Sequence, residues 1–131
     1  DALDVDFSDL EINNISINNA GNDCADFSWG NYNIKKAKTK NCTDKAFSIG
    51  EKSIAFIKDL NIEDSNIGVS SKDSSVTTLD KTIIKNTKIC LEVKRKKQEF
   101  YGGIINIKNQ NCKKNQIYKE KGSFINNKNV F

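Results

Sequence analysis

Four aspartates near the start of the chain have the types and the spacing to do chemistry. Asp1 and Asp4 stand three apart in "DALDVDFS", and Asp23 and Asp26 stand three apart in "DCADFS", 22 residues further on. If a fold sets the two pairs side by side, carboxylates about 5 Å apart repel by roughly 1 kcal/mol or more. Three arrangements could offset this. A Ca²⁺ ion accepts several carboxylate oxygens at about 2.3–2.6 Å, Lys45 could act as a counter-ion, or water at a turn could solvate the charges. The chain has no His. That removes the usual catalytic triads, His-based metal sites and an imidazole base. Acid–base work would fall to carboxylates and lysines.

The element that positions these carboxylates is a repeat. "DALDVDFSDLEINNISINNAGN", "DCADFSWGNYNIKKAKTKNCTD", "KAFSIGEKSIAFIKDLNIEDSN" and "IGVSSKDSSVTTLDKTIIKNTK" follow one another at a period of 22 residues. A fifth copy starts in register at "CLEVKRKK", carries a changed loop at "QEFYGG", and resumes at "IINIKNQNC". The remainder reads as a degenerate last coil. The coils run over about 1–22, 23–44, 45–66, 67–88, 89–112 and 113–131.

Equivalent positions keep their character. Leu3, Ala25, Phe47, Val69 and Leu91 form one apolar column, and Val5, Phe27, Ile49, Ser71 and Val93 a second. Ile12, Ile34, Ile57 and Leu79 form a third, with a one-residue slip. Ile15, Ala37, Leu60, Thr82 and Ile105 follow, then Ile17, Thr39, Ile62, Ile84 and Ile107. Apolar and polar residues alternate at period two within each coil, which is a strand pattern. Short strands repeating in one direction stack parallel, each on its predecessor, at about 4.8 Å. The prediction is an all-β chain: a single right-handed parallel β-helix (solenoid) of about 5–6 coils, ~22 residues each. Asn19 and Asn41, with Asp64, Asn86 and Asn109 near them, suit its bends, because Asn tolerates left-handed backbone. The chain starts in mid-pattern, as a segment of a longer protein would, and exposed coil ends offer a route to self-association.

Composition narrows the class. The apolar share is 37%, low for a compact globule, and the 18 Asn and 17 Ile accompany a Lys excess. Residues 1–33 carry seven acids and no base, whereas residues 67–131 carry 14 bases against five acids. Such asymmetry suits either a solvated surface or an anionic partner near the basic end. No apolar run is long enough for a membrane span, and no nucleic-acid module is recognisable. Cys24, Cys42, Cys90 and Cys112 form no C-x-x-C pair. Their spacing reveals no bridges, and they read as free thiols packing as small hydrophobes. Cys24 alternates with inward Ala25 and Phe27, which turns it outward.

"NDCADFS", "DKAFSIGEKS" and "IGVSSKDSS" resemble the rungs of bacterial right-handed parallel β-helix repeat proteins, the broad group that includes polysaccharide lyases and epimerases. The resemblance covers about residues 1–112. It implies an extracellular, periplasmic or cell-surface setting and a polysaccharide partner. In the lyases of that group an aspartate cluster holds Ca²⁺, which binds a uronate carboxylate, and a Lys abstracts the neighbouring proton. The resemblance therefore implies Asp4, Asp23 and Asp26 as calcium ligands and Lys45 or Lys52 as base. Arg95 is the only Arg, so an Arg to assist the leaving group has one candidate, in the changed loop.

Other residues suit saccharide binding. Glu51, Lys72 and Asp73 fall at equivalent turns, where they form either a ladder for sugar hydroxyls or a self-satisfied Lys–Asp turn. Trp29, the only Trp, falls at a turn of the second coil as a gap filler or a sugar platform. In "KRKKQEFYGG", Arg95 and its lysine neighbours, followed by Phe100 and Tyr101, could hold an anionic glycan. Three functions are consistent with this: a non-catalytic domain that binds or displays on polysaccharide, a calcium-dependent lyase or epimerase-like enzyme, and a structural spacer or assembly module.

Overall fold

The computed structural model describes residues 1–127; the end of the last expected coil, 128–131, lies outside the described residues. The chain is a parallel β-solenoid of about six turns. Its strands are β1 (Leu3–Asp6), β2 (Asp9–Ala20), β3 (Ala25–Ser28), β4 (Asn31–Ile49), β5 (Ile54–Lys72), β6 (Val76–Lys94), β7 (Ile104–Asn109), β8 (Ile117–Lys119) and β9 (Phe124–Asn127). A one-turn 3₁₀ segment, Lys114–Gln116, precedes β8. Every strand pairing is parallel, in the order β1-β3-β4-β5-β6-β7-β9, with β2 on β4 and β8 on β6. No helix among the described residues is long and apolar enough to cross a membrane.

The predicted columns are the core. Leu3, Ala25, Phe47, Val69 and Leu91 stack in one line, and all but the terminal Leu3 are fully buried. Val5, Phe27, Ile49, Ser71 and Val93 form the next line. A further interior line escaped the period-two reading: Tyr32, Ala55, Thr77, Ile105 and Ile125, continued on the first rung by exposed Leu10. Buried Tyr32 lies above small Ala55, so large and small side chains complement each other between rungs. Its ring sits 4.6 Å from that of Phe27, and its hydroxyl donates to the Ser28 and Val5 carbonyls.

Two columns of left-handed residues turn the corners. One is Asn19, Asn41, Asp64 and Asn86, with φ of 67°, 57°, 57° and 48°. Asn41 Nδ2 donates to Asn19 Oδ1 at 2.9 Å, an asparagine ladder of the expected kind. The other is Phe7, Trp29, Lys52 and Ser74, again all at positive φ. Left-handed backbone costs a residue with a Cβ roughly 1–2 kcal/mol, and the stacked rungs on either side enforce it here.

Three expectations change. The fifth coil's insertion, around Arg95–Gly103, precedes β7, so Ile105 and Ile107 stack on Thr77 and Leu79, not on Thr82 and Ile84. Asn109 consequently pairs with Lys81 and is not a corner residue. The cysteines are not free thiols: Cys24 bonds Cys42 and Cys90 bonds Cys112. Each bridge joins the start of a coil to its end at one corner, with Cα atoms 5.4 and 6.0 Å apart, within disulfide reach. Cys24 is fully buried. It precedes β3, so strand alternation does not govern where it points.

Candidate functional site

The short rungs β1 and β3, continued by the ends of β4, β5 and β6, form one sheet face. Its outward positions make two polar columns. Asp4, Asp26, Ser48, Ser70 and Glu92 align in one. Asp6 pairs with Ser28, and Lys72 with Lys94, in the other. The inserted loop rises beside this face and turns it into a groove of about 370 Å³. Asp4, Asp6, Asp26 and Ser28 line the end nearer the first rung, while Lys72, Lys96, Lys97 and Glu51 line the other. Phe7 and Trp29 stand along the edge. A larger hollow of about 700 Å³ lies over Phe56, Leu79, Ile107 and Ile125 on a different face. It holds none of the predicted metal, catalytic or saccharide-binding residues.

Lys72 lies on the groove floor, only 8% exposed. It runs back across the preceding rung over Gly50, where an added Cβ would stand 3.3 Å from its Cε. The missing side chain at Gly50 thus opens the track that Lys72 occupies. Burial lowers the Lys72 pKa, and the nearby charges of Lys45 and Lys96 add to this; Asp26 opposes it. Burial likewise raises the Asp26 carboxyl, offset in part by Lys72 and reinforced by Asp23 and Asp4. The two are electrostatic partners without a contact ion pair.

The aromatic edge follows from the corner geometry. Left-handed Phe7 and Trp29 are one coil apart, and their rings stack at 5.7 Å with an interplanar angle of 8°. Phe7 is 75% exposed and Trp29 40%. Phe100 of the inserted loop meets Trp29 edge-on at 5.6 Å and is itself buried. The loop is tied down by Asp73, whose Oδ1 accepts the backbone N–H groups of Lys96 and Lys97 at 2.7 and 2.9 Å. Lys97 Nζ reaches Glu51 Oε1 at 2.8 Å, and Ser74 Oγ accepts the N–H of Tyr101.

The predicted residues separate into three sets. Asp4, Asp26, Trp29, Glu51 and Lys72 meet in the groove. Lys45, Asp23 and Asp73 work beside or beneath it. Lys45 Nζ is 2.8 Å from Asp44 Oδ2 and 3.8 Å from Asp23 Oδ1. Burial pushes its pKa down, but the Asp44 hydrogen bond and the charges of Asp23 and Asp44 prevail and leave it raised, opposite to what a base requires. Asp23 is buried and accepts the Lys45 N–H. The third set, Lys52, Arg95 and Tyr101, is exposed and outside the groove lining, Tyr101 at 83% exposure.

The cation-binding geometry shifts accordingly. Carboxylate oxygens of Asp1, Asp4 and Asp26 lie within 4.8 Å of one another, a spread that ligands bound at about 2.3–2.6 Å to one Ca²⁺ can have. This donor set fits the ion, with Asp1 in the place expected for Asp23. The period-22 reading missed Phe7 and Asp6. Phe7 was findable, being one repeat before Trp29; Lys96 and Lys97, the lysine neighbours of Arg95 singled out in the changed loop, line the groove although Arg95 does not. No protein-family model, curated protein or solved structure matches the chain.

Proposed function

We propose that this solenoid is a non-catalytic, extracytoplasmic domain that binds polysaccharide along the groove, or displays on it. The observation that carries this is the exposed, mutually stacked Phe7–Trp29 pair beside a floor of charged and hydroxyl groups. Sugar rings present apolar faces that stack on aromatic side chains, and their hydroxyls both donate and accept. A hydroxyl placed between Asp26 and Lys72 can donate to the carboxylate and accept from the ammonium. The two disulfides support an oxidising compartment. Trp29 is the only Trp, so its fluorescence reports directly on the groove. A glycan array followed by fluorescence titration tests the reading: binding should shift the emission, and Trp29→Ala with Phe7→Ala should abolish binding. Silence across neutral and acidic glycans would leave a structural spacer or assembly module.

Lys72 favours a second reading, a lyase or epimerase-like enzyme acting on uronate glycans. Burial favours its neutral amine, the form a general base needs, and Lys72 takes over the role expected of Lys45 or Lys52. Asp1, Asp4 and Asp26 would hold Ca²⁺, whose charge would anchor a uronate carboxylate. Incubation with uronate polymers and Ca²⁺ should then generate the ultraviolet absorbance of an unsaturated uronate. Unchanged absorbance at high protein concentration sinks the lyase.

A further inference from the structure

Lys72 has an unusual position for a buried cation. Its ammonium makes no hydrogen bond and no contact ion pair among the described residues, and its nitrogen opens into the groove rather than being sealed from solvent. The acids at the loop end of the groove have other partners, although Asp73 Oδ2 has none. Glu51 holds Lys97, Glu92 holds Lys94 and the Ser70 hydroxyl, and Asp73 holds the two loop amides. Lys96 also lines the groove, and its ammonium is likewise unpartnered among the described residues. Two cations that repel each other thus line one space, and neither forms a contact ion pair with Asp26, the acid whose charge acts most on Lys72. Toward the first rung the groove changes sign, with Asp4, Asp6 and Asp26 as its lining.

Resting on the saccharide reading of this groove, we infer that its ligand carries an isolated oxyanion, a carboxylate or a sulfate ester, seated between the ammonium groups of Lys72 and Lys96. The residue beside it, toward Asp4, Asp6 and Asp26, is uncharged. An anion between the lysines satisfies both donors through charge-assisted hydrogen bonds. A second anion one sugar away would meet the three carboxylates, and that repulsion selects against polymers charged at every residue.

The test is isothermal titration calorimetry of the full chain in low-salt buffer with EDTA. The probes are a hexasaccharide alternating glucuronate and N-acetylglucosamine, the same oligosaccharide with its carboxylates reduced to alcohols, that reduced form bearing a sulfate ester, and hexagalacturonate. At least one charged alternating probe should bind about tenfold tighter than the reduced one, equivalent to about 1.4 kcal/mol. A preference for only one of them identifies the oxyanion. Hexagalacturonate should gain little over the reduced probe. Lys72→Gln should erase the preference, bringing the charged and reduced probes to equal affinity. Lys96→Gln, at an exposed position that folding tolerates, should shrink the preference to about threefold. Equal affinity for charged and reduced probes overturns the anion seat and leaves the saccharide groove standing. Hexagalacturonate binding as tightly as the alternating probe overturns the isolated-anion selectivity. No heat from any probe, with Trp29 emission unmoved, overturns the saccharide reading and this inference together.

Discussion

Removing the two disulfides should cost the chain much of its stability. The bridges close loops with sequence separations of 18 and 22 residues. Chain-entropy arguments assign about 3 kcal/mol to each loop of that size. Together that is about 6 kcal/mol, against a total of about 5–15 kcal/mol for an ordinary domain. Solenoid turns contact mainly their neighbours, and the bridged coils, the second and the fifth, lie toward opposite ends of the stack, so the two effects should add. Guanidinium unfolding of Cys24→Ala/Cys42→Ala, of Cys90→Ala/Cys112→Ala and of the reduced chain measures this. Each double variant should lose about 3 kcal/mol and the reduced chain about 6. A loss below about 1 kcal/mol from either double variant, or four reactive thiols in the denatured, unreduced chain, would refute the reasoning. The same register allows a third bridge. Cys42 stacks on Ser65, and Ala25 on Phe47, which sets Cys24 over Ala46. Ala46→Cys/Ser65→Cys should therefore close the intervening coil and add about 3 kcal/mol in the oxidised state only. One rung further the graft fails, since a Cβ at Gly68 would stand 2.5 Å from the Cys90 carbonyl oxygen.

Three further outcomes are expected. Asp73→Ala removes a carboxylate that receives two loop amides; it should cost about 3 kcal/mol and speed hydrogen exchange at Lys96 and Lys97, and unchanged exchange there would show that the loop is held otherwise. Burial raises the Asp26 pKa above 3.8, so its stabilising contribution is complete below 3.8 and is lost as pH rises through the folded value. Asp26→Asn should therefore match the wild type in strong acid and exceed it at neutral pH; a stability difference that stays flat across that range contradicts the assignment. Ca²⁺ at millimolar concentration should raise the melting temperature of the wild type but not of Asp4→Asn, and an unmoved wild type means that the Asp1–Asp4–Asp26 cluster is a solvated turn.

The sequence reading succeeded where one rung constrains the next. A residue inside the stack touches its equivalents above and below, so Ala25, Phe47, Val69 and Leu91 must all be apolar, and their period shows the fold directly. Asn41 and Asp64 were legible for the same reason, since each of the first four coils has a left-handed residue at that corner. Tyr32 was not, because its column mixes Leu10, Ala55 and Thr77, and packing constrains neighbouring volumes together rather than each residue type. The bridges failed differently. Cys24 and Cys42 are close only after the coil has closed on itself, a proximity that no local spacing records. Ile105 and Ile107 were shifted because a constant period cannot see where an insertion enters the rung.

Outward positions carry no such constraint, and this is why the paired aspartates misled in part. Asp1 with Asp4 and Asp23 with Asp26 look equivalent by period, yet Asp23 turns to the Lys45 amide and ammonium while Asp1 joins Asp4 and Asp26. The same freedom lets the outer column that starts with Asp6 and Ser28 end in Lys72 and Lys94 without disturbing the core. Charge can therefore change sign along the axis at no cost in packing. Burial of Lys72 is then a matter of cover: Gly50 leaves it a track, and the groove it enters is walled by a loop that no other coil possesses. Function in this fold should be sought where the repeat is broken, because there the inserted loop and the stacked rungs enclose Lys72 closely enough to lower its pKa.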